Sequence, residues 1–477
     1  MDWRHRPRCD ETPAWAALQQ HFTQQFSGTA AFDLRQAFAQ DADRAARFSF
    51  DAAEVHADLS KNLIDDEAQR LLTQLARECG VESLRDAMLA YADAVRADSA
   101  FTDVVNLGVG GSDLGPRLVV QALRASGVAN GPRVHFVANM DGHELAELLP
   151  QLRVDSTLFI VASKSFGTAE TMQNAASARA WFAAQGGTDV ARHFVAVSSN
   201  TAAAEAFGAG RCFAFDEGVG GRYSLWSPIG LPIAIAIGSA AFRDLLAGAR
   251  AMDAHFAQTP LARNLPVQLA LLDLWCRHFH GFGSRCVAPY HHGLRRLPAY
   301  LQQLEMESNG KRVDTRGRAL SLHTAPVTWG EVGSNGQHAF FQMLHQGTQP
   351  VPVEFVLVRN PAHALPGHHT KLLANALAQA RALMMGQAGD APERHFPGNR
   401  PSTVLLLPDL SPHSLGALLS LYEHRTIVLG ALWGINPFDQ WGVELGKRHA
   451  GEIEAALHSG DVTALDVSTA GLLKQLR

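Results

Sequence analysis

The stretch DVVNLGVGGSDLG, residues 103–115, begins with an apolar β-branched run and ends in a turn rich in glycine. Similar apolar runs follow it, and segments with helical spacing such as LGPRLVVQALRAS separate them. Strands that alternate with helices predict a parallel sheet covered by helices on both faces. The other runs of this first series are RVHFVANM (133–140), STLFIVASK (156–164) and HFVAVSSN (193–200).

A second series of the same kind begins near residue 284, with the runs SRCVAPY, PVEFVLV (352–358) and STVLLLP (402–408). The region 225–280 predicts long helices, and 386–401 predicts a loop. Near the N-terminus, DEAQRLLTQLARECG has helical spacing and a candidate C-cap at Gly80. We therefore predict an α/β protein in three parts: an N-terminal helical segment (1–98), a smaller α/β domain (99–245) and a larger α/β domain (246–477).

The composition narrows the class of protein. The 477 residues are 47% hydrophobic and 18% charged, which is typical of a globular protein with a large core. The net charge of -5 argues against a nucleic-acid-binding protein and against a polybasic membrane anchor. The most apolar stretch, IGLPIAIAIGSAA (229–241), contains Pro232 and is shorter than the ~18 residues of a membrane span, so it predicts a buried helix.

The cysteines and histidines indicate neither a disulfide framework nor a metal site. Five cysteines lie far apart in the chain, and their number is odd. HELAE (143–147) lacks the second histidine of a zinc-binding HExxH helix. The first residues have no apolar core of a signal peptide. We therefore expect a cytoplasmic protein without a metal ion.

Small hydroxyl side chains surround one lysine where the strand 156–164 is expected to end. Glycine and small residues let backbone N–H groups approach an anion, and a helix that starts there directs its positive end to the same point. The pattern predicts a binding site for a phosphate monoester, with an ordinary helix cap at Thr168 as the alternative. The residues concerned are Ser163, Lys164, Ser165 and Thr168.

The glycine turn after the first strand favours the same interpretation. Asp113 stands where a dinucleotide fingerprint needs its third glycine, and the P-loop pattern is absent. Gly111 and Ser112 are therefore candidates for close backbone contact with a small ligand, unless the turn only joins a strand to a helix.

Three further segments carry groups that could move protons or stabilise charge. Glu307 falls in the last turn of a helix that Pro298 begins and a left-handed stop at Asn309-Gly310 ends, with Gln303 one turn earlier on its face. A carboxylate can serve as a general base, although a solvated glutamate is the common alternative. Arg222 follows two glycines, and its guanidinium can stabilise negative charge without losing its proton.

Two predicted helices add candidates. NGQHAFFQMLHQG predicts a helix from Asn335 with His338, Gln342 and His345 on one side and Phe341, Met343 and Leu344 facing a core. Another helix is expected to start at Asn436-Pro437 and to project Gln440 and Lys447 in one direction. The alternatives to a catalytic role are that His338 is a structural histidine and that Lys447 is an ordinary surface lysine.

Six motifs in this order resemble the glucose-6-phosphate isomerase family. They are GVGGSDLGP, SKSFGTAETMQNA, GGRYSLWSPIGLP, MESNGK, GSNGQHAFFQMLHQGT and FDQWGVELGK, which together extend from residue 108 to residue 447. The resemblance implies two sugar-isomerase (SIS) domains, each a parallel sheet flanked by helices. It also implies interconversion of glucose 6-phosphate and fructose 6-phosphate through ring opening and a cis-enediol or enediolate, without metal or redox cofactor.

The resemblance assigns roles to particular residues. Glu307 matches the family's catalytic base, and Lys447 matches a residue of the ring-opening step, with Gln440 near the substrate. His338 matches the ring-opening histidine, which a neighbouring subunit supplies in a homodimer. We assign Arg222 to the enediolate oxygens. The phosphate loop departs from the usual family pattern at Gly167, which lacks a hydroxyl.

The sequence leaves two alternative functions and one alternative base. A SIS-type regulatory module would bind a sugar phosphate without needing Glu307, His338 or Lys447. An isomerase of the same fold could act on mannose 6-phosphate or an amino sugar. Glu331, on a loop flanked by glycine, is an alternative base.

Overall fold

The protein is described here as a computed structural model. It covers residues 8–27, 31–52, 55–78, 101–129, 132–213 and 218–476, so the expected C-cap at Gly80 and the boundary at residue 98 lie outside the described residues. The chain forms two compact units, of which the first ends at Pro437 and the second begins at Phe438.

The described strands of the first unit form two sheets. The strands are β1 (Ser49–Ala52), β2 (Val55–Asp58), β3 (Asp103–Leu107), β4 (Arg133–Val137), β5 (Thr157–Ala162), β6 (Phe194–Val197), β7 (Arg211–Phe213), β8 (Ser284–Pro289), β9 (Val327–Trp329), β10 (Val353–Val358) and β11 (Ser402–Leu407). One sheet has five strands, all parallel, in the order β4-β3-β5-β6-β7, and the other has six in the order β1-β2-β11-β10-β8-β9.

Helices cover the sheets and form the second unit. In the first unit the α-helices are Pro13–Gln25, Leu34–Gln40, Arg44–Arg47, Asp66–Glu78, Leu114–Ala125, Gly142–Leu148, Ala169–Ala184, Val190–His193, Thr201–Phe207, Leu231–Gln258, Leu265–Leu274, Leu297–Leu301, Phe341–Gln346, His368–Met385 and Pro412–Leu432. In the second unit they are Trp441–Ser459 and Val467–Gln475.

Both predicted series of strands are confirmed, as is the α/β fold class. The strands β3, β4, β5 and β6 fall within the first series, and β8, β10 and β11 fall within the second. The strands β3, β5 and β10 are buried along their whole length, as expected for strands covered on both faces. Four short strands were not predicted: β1, β2, β7 and β9.

The N-terminal segment is not purely helical, which corrects the prediction. The strands β1 and β2 form an antiparallel hairpin, and β2 pairs antiparallel with β11 through Asp58 opposite Val404. Phe50, Ala52, Val55 and Ala57 are buried on one face of this hairpin. The segment therefore forms the edge of the second sheet, and the pairing partner that stabilises it lies far along the chain.

The apolar stretch 229–241 lies largely in the core. The helix Leu231–Gln258 begins there after a 3₁₀ turn, and it kinks at Gly238, whose φ is 80°. Within the described residues one helical segment, Pro228–Gln258, is long and apolar enough to cross a membrane, and 56% of its apolar window is buried inside the protein. A core helix meets the same criterion. The helix packs closely on Pro412–Leu432, where a Cβ on Gly248 would lie 1.9 Å from the carbonyl oxygen of His413.

Candidate active site

The two predicted phosphate-binding segments lie side by side. Strands β3 and β5 are parallel neighbours, with Leu107 opposite Val161, so the loops that follow them leave the same edge of the sheet. A Cβ on Gly108 would lie 3.0 Å from the carbonyl oxygen of Ala162. The glycine turn (residues 108–113) and the loop with the small hydroxyl side chains (residues 163–168, the hydroxyl loop) therefore begin side by side at the carboxyl ends of the strands. Open parallel sheets bind ligands at this edge.

The hydroxyl loop presents a pair of side chains rather than a helix cap. Ser163 Oγ and Thr168 Oγ1 are 3.0 Å apart, and the Thr168 side chain makes no capping hydrogen bond to the helix Ala169–Ala184. Phe166 takes a left-handed φ of 51° between them, and Ser165 is exposed. Thr168 therefore occupies the N-cap position without a capping bond from its side chain, and the phosphate interpretation stays a prediction.

Lys164 is hydrogen-bonded to residues that follow a third strand, β6. Its carbonyl oxygen accepts hydrogen bonds from Ser198 Oγ at 2.8 Å and Ser199 Oγ at 2.7 Å, both just beyond β6. Its Nζ donates to the carbonyl oxygen of Val219 at 3.2 Å. The two serines were not predicted, although SSN at the end of a predicted strand was the signal for them.

The glycine turn also packs against the segments that carry Arg222 and Gln303. A Cβ on Gly111 would lie 1.9 Å from the carbonyl oxygen of Gly221, and a Cβ on Gly110 would lie 2.8 Å from Gln303 Nε2. The backbone approach requires glycine at 111, and the φ of 56° favours glycine at 110. These approaches bring Gly111, and Ser112 beside it, next to residues of the predicted acid–base site.

Arg222 and Glu307 form an ion pair in this region. The Arg222 side chain is buried, and its Nη1 lies 3.3 Å from Glu307 Oε2. Its Nε donates to Ser308 Oγ at 2.6 Å, and its Nη2 donates to the carbonyl oxygen of Pro437 at 2.6 Å. These hydrogen bonds fix the orientation of the guanidinium beside the Glu307 carboxylate. The Glu307 side chain is 21% exposed.

Tyr223 contributes to the same hydrogen-bond group and was not predicted. Its hydroxyl is 2.8 Å from Ser308 Oγ, and Ser308 is fully buried. Burial raises the pKa of Tyr223 to about 12, so the phenol keeps its proton near neutral pH.

Two buried carboxyl groups anchor the surrounding segments. Glu423 Oε2 accepts a hydrogen bond from Trp226 Nε1 at 2.8 Å, at the end of the 3₁₀ turn Gly221–Trp226. Burial raises the pKa of Glu423 to about 8. Asp113 accepts from Arg117 Nε at 2.8 Å, and burial also raises its pKa although Arg117 opposes the shift.

The helix that carries Glu307 differs from its prediction. It is α-helical over Leu297–Leu301 and π-helical over Gln302–Glu307, and helix continues through Asn309. Neither Asn309 nor Gly310 has a positive φ, so the left-handed stop is wrong. The reason lies in Lys311, whose Nζ donates to the carbonyl oxygens of Glu307 at 2.6 Å and Ser308 at 2.9 Å and so satisfies the helix end.

His338 does not lie on the predicted continuous helix. It ends a 3₁₀ turn, Gly336–His338, and the α-helix begins only at Phe341 because Phe340 leaves helical geometry and packs its ring 4.8 Å from that of Trp329. His338 therefore does not share a helix face with Gln342 and His345. Its side chain is exposed, as is that of Met343, whereas Phe341 and Leu344 are buried as predicted.

Gln440 and Lys447 lie in the second unit. Its first helix begins at Trp441 and not at Asn436, so Gln440 precedes the helix with φ -151° and ψ 46°. The carbonyl of Pro437 accepts from Arg222 instead of from a helical N–H. Lys447 is exposed, with its Nζ 2.8 Å from Glu444 Oε1. The roles of Gln440 and Lys447 stay predictions.

Comparison with known proteins identifies the family. The family model described as Phosphoglucose isomerase matches residues 93–473. This chain belongs to the phosphoglucose isomerase family. Glucose-6-phosphate isomerases of Albidiferax ferrireducens and Polaromonas naphthalenivorans are 58% and 57% identical to it, each alignment covering 98% of this chain and 99% of the relative.

Comparison with solved structures supports the same family assignment. A crystal structure of a glucose-6-phosphate isomerase from Chlamydia trachomatis superimposes with a TM-score of 0.87 at 30% identity, over 98% of this chain and 99% of that one. The resemblance seen in the motifs is confirmed, and the chain is an isomerase. In the part of the chain that the structure describes, no three His, Cys, Asp or Glu side chains are grouped to hold a metal ion.

We expect Gly111→Ala to disrupt the site sterically, without removing any of its polar side chains. The added Cβ would lie 1.9 Å from the Gly221 carbonyl oxygen and would push the segment that carries Arg222. We expect the free energy of unfolding to fall by ~1–3 kcal/mol together with a loss of turnover, measured by denaturant titration and a kinetic assay. Gly221→Ala is the matched control because its Cβ would meet no atom within 4 Å. Equal behaviour of the two variants would contradict the prediction.

Proposed function

We propose that this chain interconverts glucose 6-phosphate and fructose 6-phosphate through ring opening and a cis-enediol or enediolate. The observation that carries the proposal is the ion pair of Glu307 with the buried Arg222. The glycine turn packs against the segment that carries Arg222. In this proposal Glu307 is the base and Arg222 is the fixed positive charge, and both lie near the loops that we propose to bind phosphate. The family membership supports the same reaction.

The phosphate end of the sugar is held by the hydroxyl loop. Hydroxyl groups come from Ser163, Ser165 and Thr168, and one ammonium comes from Lys164. The glycine turn contributes Gly111 and Ser112 from the neighbouring strand end. The helix Ala169–Ala184 starts at this loop, so its positive end favours a dianionic ester. Gln303, beside Gly110, is suited to contact the sugar hydroxyls.

Proton transfer follows from the chemistry of the open-chain sugar. The carbonyl at C1 makes the C2 hydrogen acidic, so a carboxylate can remove it without a metal ion or a redox cofactor. Glu307 takes this proton and returns it to C1. Arg222 stabilises the negative charge that develops on the enediolate oxygens, and it cannot lose its own proton in doing so.

Ring opening is assigned to His338 with Lys447, while Gln440 contacts the substrate. We propose that His338 acts in the site of the partner in a homodimer. Its exposed side chain, on a short turn separate from the helix of Glu307, supports this arrangement.

A direct assay tests the reaction. The purified chain is supplied with fructose 6-phosphate, and glucose 6-phosphate, mannose 6-phosphate and amino-sugar phosphates are measured as products. We expect glucose 6-phosphate alone. A different hexose phosphate would contradict the substrate assignment, and binding of the sugar phosphate without turnover would indicate a regulatory module.

Mixed dimers test the sharing of His338. Glu307→Gln and His338→Asn subunits are dissociated, mixed in equal amounts and reassociated. If each site combines Glu307 of one subunit with His338 of the other, half of the dimers are mixed and each contains one intact site, giving about a quarter of wild-type activity. Each parent alone should be nearly inactive. If no activity returned although mixed dimers had formed, His338 would belong to the site of its own chain.

We further infer a cytoplasmic location and no nucleic-acid or membrane partner. The buried cysteines Cys276 and Cys286 form no disulfide, which suits a reducing compartment. The net charge of -5 does not favour a polyanionic surface as partner.

A further inference from the structure

A buried group of charged and polar side chains joins the helix that carries Glu307 to the second sheet. Glu305, two residues before Glu307, is buried, and both of its carboxylate oxygens accept hydrogen bonds from Arg285 on β8. Thr328 on β9 donates its hydroxyl to Glu305 Oε2 at 2.6 Å. We call Arg285, Glu305 and Thr328 the Glu305 cluster.

Arg285 is itself fixed from the other side. Its Nη1 lies 3.2 Å from Asp273, which also accepts two hydrogen bonds of 2.6 Å from Arg425. Arg425 continues to Glu354 on β10 at 2.6 Å. The Glu305 cluster is thereby tied to the neighbouring core helices and to the sheet, and its position in the fold is rigidly defined.

The backbone that carries Glu305 has an unusual geometry. Gln302–Glu307 is π-helical, so one more residue fits into the turn than in an α-helix. Relaxing such a turn to α geometry would rotate the residues at its end, Glu307 included, by up to about 100° around the helix axis. Glu307 would then leave Arg222, which it meets at 3.3 Å. The π turn is thus a condition for the geometry of the site.

We propose that Glu305 is a positioning residue for Glu307. Its carboxylate, anchored to Arg285 and Thr328, sets the register of the π turn. This register directs Glu307 toward the sugar and Gln303 toward the glycine turn. The proposal rests on the proposed function of Glu307 as the base.

The test compares two isosteric variants, Glu305→Gln and Glu354→Gln. Both remove a buried carboxylate from the connected charge network, but Glu354 contacts Arg425 and Tyr422 and has no hydrogen bond to the π turn. Thermal unfolding measures the loss of stability in each. The kinetic assay uses glucose 6-phosphate with hydrogen or deuterium at C2, because a loss of folded enzyme lowers the rate without changing the isotope effect.

We expect Glu305→Gln to lower kcat by about 10–100-fold with little change in KM, as a misplaced catalytic group does. The isotope effect on kcat should rise, because the transfer of the C2 hydrogen becomes more strongly rate-limiting. Glu354→Gln should keep the wild-type isotope effect. If Glu305→Gln does not fold, Thr328→Val removes one hydrogen bond to the same carboxylate and should raise the isotope effect to a smaller degree.

The outcomes separate this proposal from the proposed function. If Glu307→Gln is inactive while Glu305→Gln, or Thr328→Val in its place, shows the wild-type isotope effect, the positioning role is wrong and the function stands. An equal rise of the isotope effect in Glu354→Gln would also overturn the positioning role. If Glu307→Gln remains active, both the base and its positioning residue are wrong.

Discussion

Glu307→Gln is expected to reduce kcat by about 10²–10⁴-fold, because the amide cannot accept the C2 proton of the sugar. The substitution keeps the size of the side chain and its place beside Arg222, so we expect KM to change little. The measurement is a coupled isomerase assay in both directions, with thermal unfolding to show that the variant is folded. A loss confined to KM would indicate that Glu307 only binds the sugar.

Glu331→Gln is the matched control for this prediction. Glu331 also carries a carboxylate near the second sheet, but it is exposed and accepts a hydrogen bond of 2.7 Å from the N–H of the next residue, Val332. We expect this variant to stay within a few-fold of wild type. If Glu331→Gln abolished turnover and Glu307→Gln did not, the base would have to be reassigned.

Arg222→Lys should produce a loss of about 10²–10³ in kcat, the cost typical of removing one group that stabilises developing negative charge. Lysine keeps a positive charge but not the planar fork that reaches Ser308, Pro437 and Glu307 together. The enediolate oxygens would then face a cation that nothing orients. Steady-state kinetics measure the effect, and circular dichroism shows whether the buried substitution is tolerated.

Tyr223→Phe provides the comparison for Arg222→Lys. It removes a hydroxyl that lies 2.8 Å from Ser308 Oγ and leaves the guanidinium intact. We expect a small effect on kcat, since a neutral hydrogen bond contributes ~1 kcal/mol. Retention of wild-type kcat by Arg222→Lys would show that charge alone is enough, and the importance of the fork would be refuted.

Much of the fold could be predicted from local pattern. The strands β3, β5 and β10 are buried on both faces, so their apolar runs are continuous and visible in the sequence. The hairpin β1–β2 could not be recognised in this way. Its strands have four residues each, and they are stabilised by pairing with β11 rather than by their own composition.

The candidate site was predictable in its residues but only partly in its geometry. The hydroxyl loop could be found because ligand loops follow strand ends, a local feature. The contact of Arg222 with Glu307 joins two segments that sequence spacing cannot relate. The π turn at Gln302–Glu307 depends on Arg285 and Thr328, two distant residues that bind the carboxylate of Glu305.

The hairpin β1–β2 also has a consequence for the order in which the protein is synthesised. The second sheet places residues from the beginning of the chain beside β11, and Asn62 donates a hydrogen bond to Ser402, 340 residues later. At ordinary translation rates the segment that becomes β1 and β2 waits roughly 17–70 s for this neighbour to leave the ribosome. During that interval the two short strands lack the partner that stabilises them, so their apolar side chains are accessible to other chains, and binding by a chaperone is most useful before the last part of the chain is translated.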